Sequence, residues 1–541
     1  MDGSQPDIQM RQVSPDRARR RERGPCARRA AFALLESQPV ASAGARLHPP
    51  LALWAGPAAF LAGVTALAPA LALSAALTLA FAFVLAITAL RLAASVSPPC
   101  WSPRTPVAQA RLPVISVILA LHNEAEVMPG LIAALSRLDY PADRLDILLA
   151  LEAHDHATRA AAKAASRRIG ARVLVAPPCG PTTKPRALNY ALQAARGALI
   201  AVYDAEDAPH AGQLRAAAEA FAADPELGVV QAPLGWYNAN DNWLTRQFAL
   251  EYAAQFHALL PLYRSLGWPL PLGGTSNVFR RTALEACGGW DPFNVTEDAD
   301  LGFRLAAHGW RAGLIEPGTL EEAPVTRAAW TGQRSRWLKG HLITWLVQMR
   351  QARRLWDAAG PGALVCLQLT MLANALSALM FPIGLAMIAG ALILAGAGWT
   401  GGLPGAAAGL AALGCAIACA RTGARRAGFT PRWRDLIALP VYWLLQAPAM
   451  ARALRELPAR PYLWVKTRHG VSTARREGPD DNRPDAARHR PDRSGVRLLR
   501  LAQRTAQQSA QTAHDPVDDG HNPRRRRLPV PARPSVRPFR P

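Results

Sequence analysis

The chain has 541 residues, half of them hydrophobic, and carries a formal net charge of +23. A single soluble globule rarely combines these values, whereas long apolar runs with arginine-rich ends are typical of an integral membrane protein. Nucleic-acid binding would also explain the charge, but the arginines lie in Pro- and Gly-containing segments with almost no aromatic residues for base stacking. We therefore expect no nucleic-acid partner.

The first 93 residues divide into a polar and an apolar stretch. Residues 1–50 are basic and show no apolar periodicity, which predicts a disordered tail. Residues 51–90 are uncharged and twice as long as the ~20 residues that span a bilayer, and Pro69 lies near their middle. They predict a transmembrane hairpin over residues 51–93, with the tail and Arg91 both on the cytoplasmic side.

Strand and helix patterns alternate between residues 112 and 345. Apolar runs predict strands over residues 113–121, 145–151, 172–176 and 198–202. A helix is predicted from Lys184 and Pro185 to residue 195, because proline is favoured at the start of a helix. This alternation predicts an α/β domain on a doubly wound parallel sheet, inserted between transmembrane helices.

The remaining chain divides into four parts. They are an interfacial amphipathic helix (346–362), a transmembrane bundle (363–455), a short polar segment (456–470) and a disordered Arg/Pro-rich tail (471–541). Splitting the apolar run 363–399 at Pro382 gives six transmembrane helices overall, which is the favoured expectation. The alternative makes part of that run interfacial and residues 436–451 re-entrant; it gives four helices and keeps every basic loop inside.

The strand over residues 198–202 ends in Tyr203 and three acids, Asp204, Glu206 and Asp207. Ligands of open α/β sheets bind beyond the carboxyl ends of such strands. Carboxylates at this place are suited to a hard cation such as Mg²⁺, often together with phosphate. An acidic turn without a ligand is the alternative.

Four further groups join this cluster. Glu152 and Asp155 follow the second strand, and Lys184 begins a helix whose N-terminus favours an anion. Thr296 is a plausible N-cap with acids Glu297 and Asp298 in the first turn; a simple helix cap is the alternative. Residues 333–337 (QRSRW) combine basic and aromatic side chains, for which a snorkelling interfacial helix is the alternative.

In this order the motifs resemble the family-2 glycosyltransferases, and within them the processive membrane polysaccharide synthases that make cellulose, hyaluronan and chitin. Residues 204–209 are similar to the family's D-x-D segment, residues 296–298 match T-E-D, and residues 333–337 match Q-x-x-R-W. Residues 272–277 (LGGTSN) resemble the glycine-rich loop beside the acceptor. The resemblance covers residues 112–470 and implies a GT-A nucleotide-sugar-binding fold.

The resemblance also implies a role for each site residue. Catalysis would involve Asp298 as general base, with Glu297 and Asp204. The nucleotide sugar would contact Glu152, Asp155, Lys184, Asp204, Arg336, Trp464 and Thr467. The acceptor would contact Gly274, Thr275, Gln333, Arg334 and Trp337, and Mg²⁺ or Mn²⁺ would bind Asp204, Glu206 and Asp207.

Two points depart from the family pattern. The second D-x-D acid is usually aspartate, so the sequence leaves open whether Glu206 or Asp207 reaches the metal. Residues 456–470, which contain Trp464 and Thr467, only loosely resemble the segments that close over the nucleotide in these synthases. A polar linker is the alternative for that segment.

The expected function is therefore an inverting, metal-dependent transfer of a sugar from a UDP-sugar, in first place UDP-glucose, to a growing polysaccharide. Its partners would be the glycan acceptor, membrane lipid and accessory export subunits. The expected location is the bacterial inner membrane, crossed several times, with the catalytic domain in the cytoplasm. One alternative is a single addition to a lipid or polyprenol phosphate; another is a non-catalytic membrane adaptor with a degenerate transferase domain.

Overall fold

The structure is a computed structural model that describes residues 25–45, 59 and 62–464. These residues fall within one compact unit. The predictions for residues 1–24 and 465–541, which include most of both tails and the site residue Thr467, lie outside the described residues.

Helix α1 (Pro25–Ser37) and a 3₁₀ turn (Pro39–Ala41) lie where the sequence predicts a disordered tail. One face of α1 is buried against the rest of the protein, and Phe32 packs with its ring centroid 6.0 Å from that of Phe293. The prediction of disorder is therefore wrong for residues 25–45. Burial of an apolar helix face against the domain orders the segment.

Helix α2 (Pro69–Val96) begins at the proline that the sequence places in the middle of a hairpin. Its side chains are mostly exposed and apolar, as expected for a helix that contacts lipid. Residues 51–58, 60 and 61, which hold much of the other arm of the hairpin, lie outside the described residues. The hairpin itself stays a prediction.

The domain is built on a seven-stranded sheet in the order β3-β2-β1-β4-β8-β6-β9. A three-stranded sheet, β5-β10-β7, lies beside it. The strands are β1 (Ile115–Leu121), β2 (Leu145–Glu152), β3 (Arg172–Ala176), β4 (Leu199–Tyr203), β5 (Ala208–Pro209), β6 (Leu227–Gln231), β7 (Leu234–Trp236), β8 (Asn277–Arg280), β9 (Arg311–Leu314) and β10 (Thr319–Glu321). The four predicted strands are confirmed.

The large sheet is mixed, not purely parallel. Strands β1 to β4 pair in parallel, but β8 runs antiparallel to both β4 and β6. The chain leaves β1 toward β2 and β3 on one side and returns to β4 on the other. The carboxyl ends of β1 and β4 therefore form a topological switch point, where ligands of open α/β sheets bind.

Helices cover both faces of the large sheet and connect its strands. They are α3 (Met128–Leu135), α4 (His156–Ile169), α5 (Lys184–Leu192), α6 (Gln213–Ala223), α7 (Trp243–Ala254), α8 (Leu260–Ser265), α9 (Arg281–Ala286) and α10 (Glu297–Ala307). Short 3₁₀ turns occur at Gln109–Arg111 and Ala142–Arg144, and a π-helical turn at Gln255–Leu259 joins α7 to α8. Two hydrophobic clusters, one on each face of the sheet, form the core of the domain.

Between residues 327 and 464, seven helices follow the strands of the domain. They are α11 (Arg327–Arg350), α12 (Ala352–Ala359), α13 (Pro361–Leu367), α14 (Ala373–Gly396), α15 (Leu403–Arg426), α16 (Trp433–Leu444) and α17 (Gln446–Ala459). A π-helical turn, Gln368–Leu372, makes α13 and α14 one continuous rod. Helix α12 is amphipathic, with Leu355 buried and Trp356 half exposed, but its expected position at a membrane surface stays a prediction.

Among the described residues, three helical stretches are long and apolar enough to cross a membrane: Pro69–Val96, Pro361–Gly396 and Leu403–Arg426. The expected break at Pro382 is wrong, because the helix continues through this proline. The apolar run after the domain thus supplies two candidate spans and not four. If both of these stretches cross a membrane, Trp464 and the domain lie on the same side of it, together with the basic residues 421–434.

Candidate active site

A cavity of about 640 Å³ opens at the switch point of the large sheet. Its floor is formed by residues at the carboxyl ends of three strands: His122 after β1, Glu152 in β2 and Asp204 after β4. Helices α10 and α11 form one wall, and the cavity continues between helices of the apolar bundle. It therefore joins the α/β domain to the candidate membrane helices.

Lys184 and Asp204 form an ion pair on this floor. The Lys184 Nζ atom lies 2.5 Å from Asp204 Oδ1 and donates a hydrogen bond of 2.7 Å to the Gly274 carbonyl oxygen. Burial alone would lower the pKa of Lys184, but Asp204 and Glu297 outweigh it and the pKa is raised. Lys184 is thus a permanent cation at the N-terminus of α5.

Glu206 and Asp207, the two acids that the sequence leaves as rival metal ligands, face different surroundings. Asp207 is fully buried; its Oδ2 atom accepts a 2.8 Å hydrogen bond from the Asp204 backbone N–H and another from the Thr275 hydroxyl. Glu206 lines the cavity together with Asp204, and Asp207 does not. The geometry favours Glu206 as the cation-facing acid and makes Asp207 the support of the turn.

Burial raises the pKa of both acids. The pKa of Glu206 rises to about 8, first through desolvation and then through Asp204 and Glu124. The pKa of Asp207 is raised for the same first reason, with Asp204 and Glu206 adding to it. A cluster of carboxylates away from water holds negative charge poorly by itself, and a bound cation would relieve this.

Glu297 and Asp298 begin helix α10 and line the opposite wall of the cavity. Asp298 Oδ1 accepts a 2.8 Å hydrogen bond from the Ala299 backbone N–H, and a Cβ atom on Gly274 would lie 3.2 Å from Asp298 Oδ2. Burial raises the pKa of Asp298, and burial followed by the Asp298 charge raises the pKa of Glu297 to about 8. Asp298 is therefore a fixed carboxylate of increased basicity beside the glycine-rich loop.

Thr296 occupies the N-cap position of α10 as predicted, but its side chain makes no capping hydrogen bond. It packs instead against α11 at Gly340, where a Cβ atom would come within 2.4 Å of it. Glycine at this position is needed for the close approach of the two helices. The contact holds the acids of α10 against the residues of α11.

The Q-x-x-R-W residues lie on α11, and the structure divides them into two roles. Gln333 and Trp337 line the cavity, as the acceptor prediction requires. The Arg334 guanidinium is bound in two hydrogen bonds, of 2.9 and 2.5 Å, to the carboxylate of Glu251 on α7. The Arg334 side chain therefore joins α7 to α11 while it also lines the cavity, and its contact with an acceptor stays a prediction.

Arg336 points toward the acids of α10. Its Nη1 atom donates a 3.2 Å hydrogen bond to the Val295 carbonyl oxygen, and its Nε atom is buried without a hydrogen-bond partner among the described residues. The guanidinium carbon lies 4.4 Å from the ring centroid of Trp464, which also lines the cavity. Trp464 is thus next to the other site residues although 128 residues separate it from Arg336 in the sequence.

Glu152 and Asp155, predicted to contact the nucleotide, both have partners within the protein. Glu152 Oε2 accepts a hydrogen bond from Arg186, which is itself buried. Asp155 caps helix α4 through Thr158 N–H at 3.1 Å and accepts a 2.6 Å hydrogen bond from Asn123 N–H. Burial would raise the pKa of Asp155, but these hydrogen bonds lower it. Glu152 still lines the cavity, whereas Asp155 does not and has a structural position.

The loop residues Gly274 and Thr275 also line the cavity, and their contact with an acceptor stays a prediction. The Thr275 side chain donates to Asp207, so it supports the acidic turn directly. The next residue, Ser276, has a positive φ of 56°, an uncommon conformation for a residue other than glycine. It turns the loop so that Asn277 can begin strand β8 beside β4.

The structure adds cavity residues that motif reasoning did not identify. They are acidic or aromatic: His122, Glu124, Trp236, Tyr252, Glu321 and Glu322. His122 and Glu124 directly follow β1, so the rule that predicted Asp204 after β4 applies to them as well. The signal for Trp236, Tyr252 and Glu321 is weaker, because they come from short strands and a helix that carry no recognised motif.

The part of the cavity away from the acids is mainly aliphatic, with a few other side chains that include Thr88, Arg91, Asn374, Ser377 and Phe381. It is lined by residues of α2, α14 and α15, among them Val84, Ile87, Leu90, Met380, Leu385, Ile388, Ala412, Leu413 and Ala416. We call this part the apolar arm, and the part around Asp204, Lys184 and Asp298 the polar end. Transfer from water into the apolar arm is favourable for a hydrocarbon chain but not for a sugar, whose hydroxyl groups would lose hydrogen bonds to water.

The comparison with known families agrees with this architecture. Residues 199–395 match the family model described as glycosyl transferase family group 2. That match contains the acids after β4, the T-E-D residues and the Q-x-x-R-W residues. Residues 199–395 are thus similar to the family-2 glycosyltransferases, and the resemblance found in the sequence motifs is confirmed at that level.

Several relatives of known name are similar to this chain. A β-monoglucosyldiacylglycerol synthase of Trichormus variabilis is 29% identical over 258 residues, 46% of this chain and 55% of that protein. Its counterpart in Synechocystis sp. is 30% identical over 42% of this chain and 48% of that protein. A probable glucomannan 4-β-mannosyltransferase of Arabidopsis thaliana is 26% identical over 44% of each chain. The chain spans about half the length of the curated relatives that it matches.

Among solved structures, the chain is similar to the mannosyltransferase PcManGT from Pyrobaculum calidifontis in complex with GDP-Man and Mn²⁺. The identity is 20%, and the alignment covers 70% of this chain and 98% of that one with a TM-score of 0.43.

Proposed function

We propose that this protein transfers a hexose from a nucleoside diphosphate sugar to a hydroxyl group of a membrane lipid. One observation carries the proposal: a single cavity joins the polar end, with Asp204, Lys184 and Asp298, to an arm lined by aliphatic side chains of three apolar helices. A lipid has both chemistries, a polar head for the acids and a hydrocarbon chain for the arm.

At the polar end, cationic groups face the place of the donor diphosphate. Lys184 is a cation at a helix N-terminus, where backbone N–H groups also favour anions. The Nε atom of Arg336 is buried without a hydrogen-bond partner among the described residues, and a phosphate oxygen would supply one. Both groups would stabilise the charge that develops on the leaving diphosphate.

The residues present also fit a divalent cation. Among the described residues no group of three or more His, Cys, Asp or Glu side chains forms a complete metal site. Asp204 and Glu206 both line the cavity, and two carboxylates completed by substrate phosphates and water are the usual protein share of a Mg²⁺ site. A bound Mg²⁺ or Mn²⁺ would neutralise the leaving diphosphate.

Asp298 is the general base of the proposed reaction. Its Oδ1 atom is held by the Ala299 N–H, and its Oδ2 atom lies toward the Gly274 loop. The acceptor hydroxyl would lose its proton to Asp298 as its oxygen bonds to the anomeric carbon and the bond to the diphosphate breaks. This single displacement inverts the anomeric configuration.

We assign the acceptor to a lipid ahead of a growing polysaccharide. Sugars are bound by aromatic faces and hydrogen-bonding side chains, and aliphatic side chains outnumber these in the apolar arm. The relatives named as monoglucosyldiacylglycerol synthases support a diacylglycerol acceptor and glucose as the sugar. UDP-glucose is accordingly the proposed donor, and no export subunit is needed for a single transfer.

Polysaccharide extension is the second candidate, and a particular group of residues favours it. Trp236, Tyr252 and Trp337 cluster at the cavity, with ring centroids of Tyr252 4.3 Å from Trp236 and 6.2 Å from Trp337. Aromatic faces of this kind stack on sugar rings. The relatives named as glucomannan mannosyltransferases support this candidate.

We also propose that the protein crosses the bacterial inner membrane several times with the α/β domain in the cytoplasm. The three candidate spans support membrane insertion. The domain must lie where nucleotide sugars are made, and the basic residues between α15 and α16 would then lie on the same side.

The test is a reconstitution of the full chain in liposomes with diacylglycerol, Mg²⁺ or Mn²⁺, and a panel of UDP- and GDP-sugars. Products are separated by size and lipid solubility, and the anomeric configuration is read by NMR. A lipid-soluble product with one inverted sugar supports the proposal. A high-molecular-weight glycan made without diacylglycerol would favour the second candidate, and no turnover with any donor would favour a non-catalytic role.

A further inference from the structure

The N-terminal segment, residues 25–45, packs beside the candidate active site, and we call it the N-terminal clamp. Helix α1 lies along α5. The Asn189 Nδ2 atom donates a hydrogen bond of 3.1 Å to the Ala30 carbonyl oxygen, and Gln193 Nε2 donates one of 3.0 Å to the Cys26 carbonyl oxygen. Helix α5 begins with Lys184 of the polar end. The clamp is therefore tied to an element that carries a site residue.

The last residues of the clamp are held by Asp291, which lies on the loop before α10. Asp291 Oδ2 accepts a 2.6 Å hydrogen bond from Ala43 N–H, and Oδ1 accepts one of 3.1 Å from the Ser42 hydroxyl. Arg350 Nη2 donates a hydrogen bond of 2.7 Å to the Ser42 carbonyl oxygen. Asp291 and Ser42 are completely buried. This junction fixes residues 42 and 43 between the α10 loop and the end of α11.

The clamp in turn holds residues 460–464, which we call the C-terminal segment. Tyr462 Oη donates a 3.0 Å hydrogen bond to the Ala43 carbonyl oxygen, and the Tyr462 ring packs at 5.5 Å on Phe293. From the other side, Lys339 Nζ donates hydrogen bonds of 3.2 Å to the carbonyl oxygens of both Arg460 and Leu463. Lys339 is fully buried on α11. The C-terminal segment is thus fixed from two sides.

Trp464 is the residue that immediately follows these contacts, and its ring covers the Arg336 guanidinium at 4.4 Å. Trp464 also packs, with Tyr462, on the hydrophobic cluster that contains Ala31, Phe32 and Phe293. A continuous series of contacts therefore leads from the clamp through Tyr462 and Trp464 to Arg336 at the polar end.

We propose that the N-terminal clamp positions Trp464 over the donor site, so that the segment preceding the first apolar helix is part of the substrate-binding machinery. Tyr462 and Ser42 are positioning residues, because they act through Trp464 and touch no reacting atom. Loss of their hydrogen bonds would release Trp464, weaken donor binding through Arg336 and admit water to the donor. This inference rests on the proposed function, because it assigns the polar end to a nucleotide sugar.

The test compares Tyr462→Phe and Ser42→Ala with the matched control Tyr140→Phe. Tyr140 also donates from Oη to a backbone carbonyl, that of Pro113 at 2.6 Å, but it packs in the core cluster on the other side of the domain. We expect Tyr462→Phe to raise the donor KM about fivefold and to increase donor hydrolysis relative to transfer, as loss of one hydrogen bond allows. The control should change neither quantity.

A double-variant comparison identifies the route. Trp464→Ala should raise the donor KM at least as much as Tyr462→Phe, and adding Tyr462→Phe to Trp464→Ala should have no further effect. If the two effects multiply instead, Tyr462 does not act through Trp464. If Tyr462→Phe and Tyr140→Phe change KM equally, the effect is general destabilisation; either result overturns the inference.

Hydrogen exchange separates this inference from the proposed function, because it needs no turnover. Backbone amides of residues 460–464 should exchange about fivefold faster in Ser42→Ala and Tyr462→Phe than in Tyr140→Phe. Unchanged protection would show that the clamp does not hold the C-terminal segment, whatever the enzyme does. Faster exchange without any sugar transfer would confirm the contact and reject only the proposed donor.

Discussion

The polar end and the apolar arm of the cavity are held in place in different ways. At the polar end hydrogen bonds hold the main acids and the lysine: Asp207 supports the backbone of Asp204, Lys184 joins Asp204 to Gly274, and Ala299 orients Asp298. The apolar arm has no such partners for its aliphatic lining, and its shape depends on small residues and packing between helices. The polar end should therefore be sensitive to single atoms, and the arm to volume.

The strongest test of this contrast is Asp298→Asn, which exchanges one oxygen atom for an NH₂ group. The amide keeps the shape but cannot accept a proton, so we expect the transfer rate to fall about 10³-fold. Initial rates at saturating donor and acceptor measure the effect. Asp143→Asn, at a mostly exposed acid, is the control and should leave the rate unchanged. Unchanged turnover in Asp298→Asn would remove this residue as the base.

A second test separates the two acids of the D-x-D segment. Glu206→Gln should raise the Mn²⁺ concentration needed for half-maximal rate by roughly 10- to 100-fold, because Glu206 lines the cavity. Asp207→Asn should instead lower the thermal stability of the protein, since Asp207 holds Asp204 and Thr275. Metal titrations and melting curves on both variants make the comparison. The reverse assignment would follow if Asp207→Asn changed only the metal requirement.

The third test fills the apolar arm. Gly384 on α14 lines the cavity, and a Cβ atom there meets nothing within 4 Å, so Gly384→Leu projects into the space without a backbone clash. We expect the KM for the lipid acceptor to rise about tenfold, with donor hydrolysis unchanged, because the added side chain competes with the hydrocarbon chain.

Gly390 provides the matched control for this substitution. It lies on the same helix, a Cβ atom there also meets nothing within 4 Å, and it does not line the cavity. Gly390→Leu should therefore leave both kinetic constants unchanged. Equal effects of the two leucines would indicate a general disturbance of α14, and no effect of Gly384→Leu would contradict lipid binding in the arm.

The same contrast explains which features were predictable from the sequence. The acids after β4, the T-E-D residues and the Q-x-x-R-W residues are local motifs on single elements, and they lie together as the order of strands and helices predicts. The apolar arm is lined jointly by α2, α14 and α15, and about 300 residues separate α2 from the other two helices along the chain. No local sequence pattern indicates that these helices line one cavity.

Long-range partners also explain which contacts the sequence could not show. Arg334 was expected at the acceptor because the sequence does not show Glu251, its partner 83 residues away. Asp155 was expected at the nucleotide, but Asn123 and Thr158 occupy its oxygen atoms. In α1 a signal was present: Ala27, Ala31, Leu34 and Leu35 follow helical spacing, yet their burial depends on residues near 291 and 462.

The smallest expected effect concerns the charge of Glu297, which directly precedes the proposed base and lines the cavity. Burial, followed by Asp298, raises its pKa to about 8, so Glu297 is neutral at pH 7 and becomes negative above pH 8. A new negative charge beside an anionic donor weakens binding, so kcat/KM for the donor should fall roughly fivefold between pH 7 and 9. Glu297→Gln should remove this fall, because glutamine imitates the neutral acid at every pH.

The raised pKa of Glu297 also has a thermodynamic consequence with a definite sign. The folded protein binds the proton more tightly than the unfolded chain, so the stabilisation is complete below the ordinary pKa of 4.5 and is lost as the pH rises through about 8. Glu297→Gln should flatten the dependence of the melting temperature on pH over this interval, while Glu285→Gln, at an exposed acid, should not. If Glu297→Gln still loses kcat/KM above pH 8 and Glu206→Gln does not, the titrating group is Glu206, whose pKa is also raised to about 8.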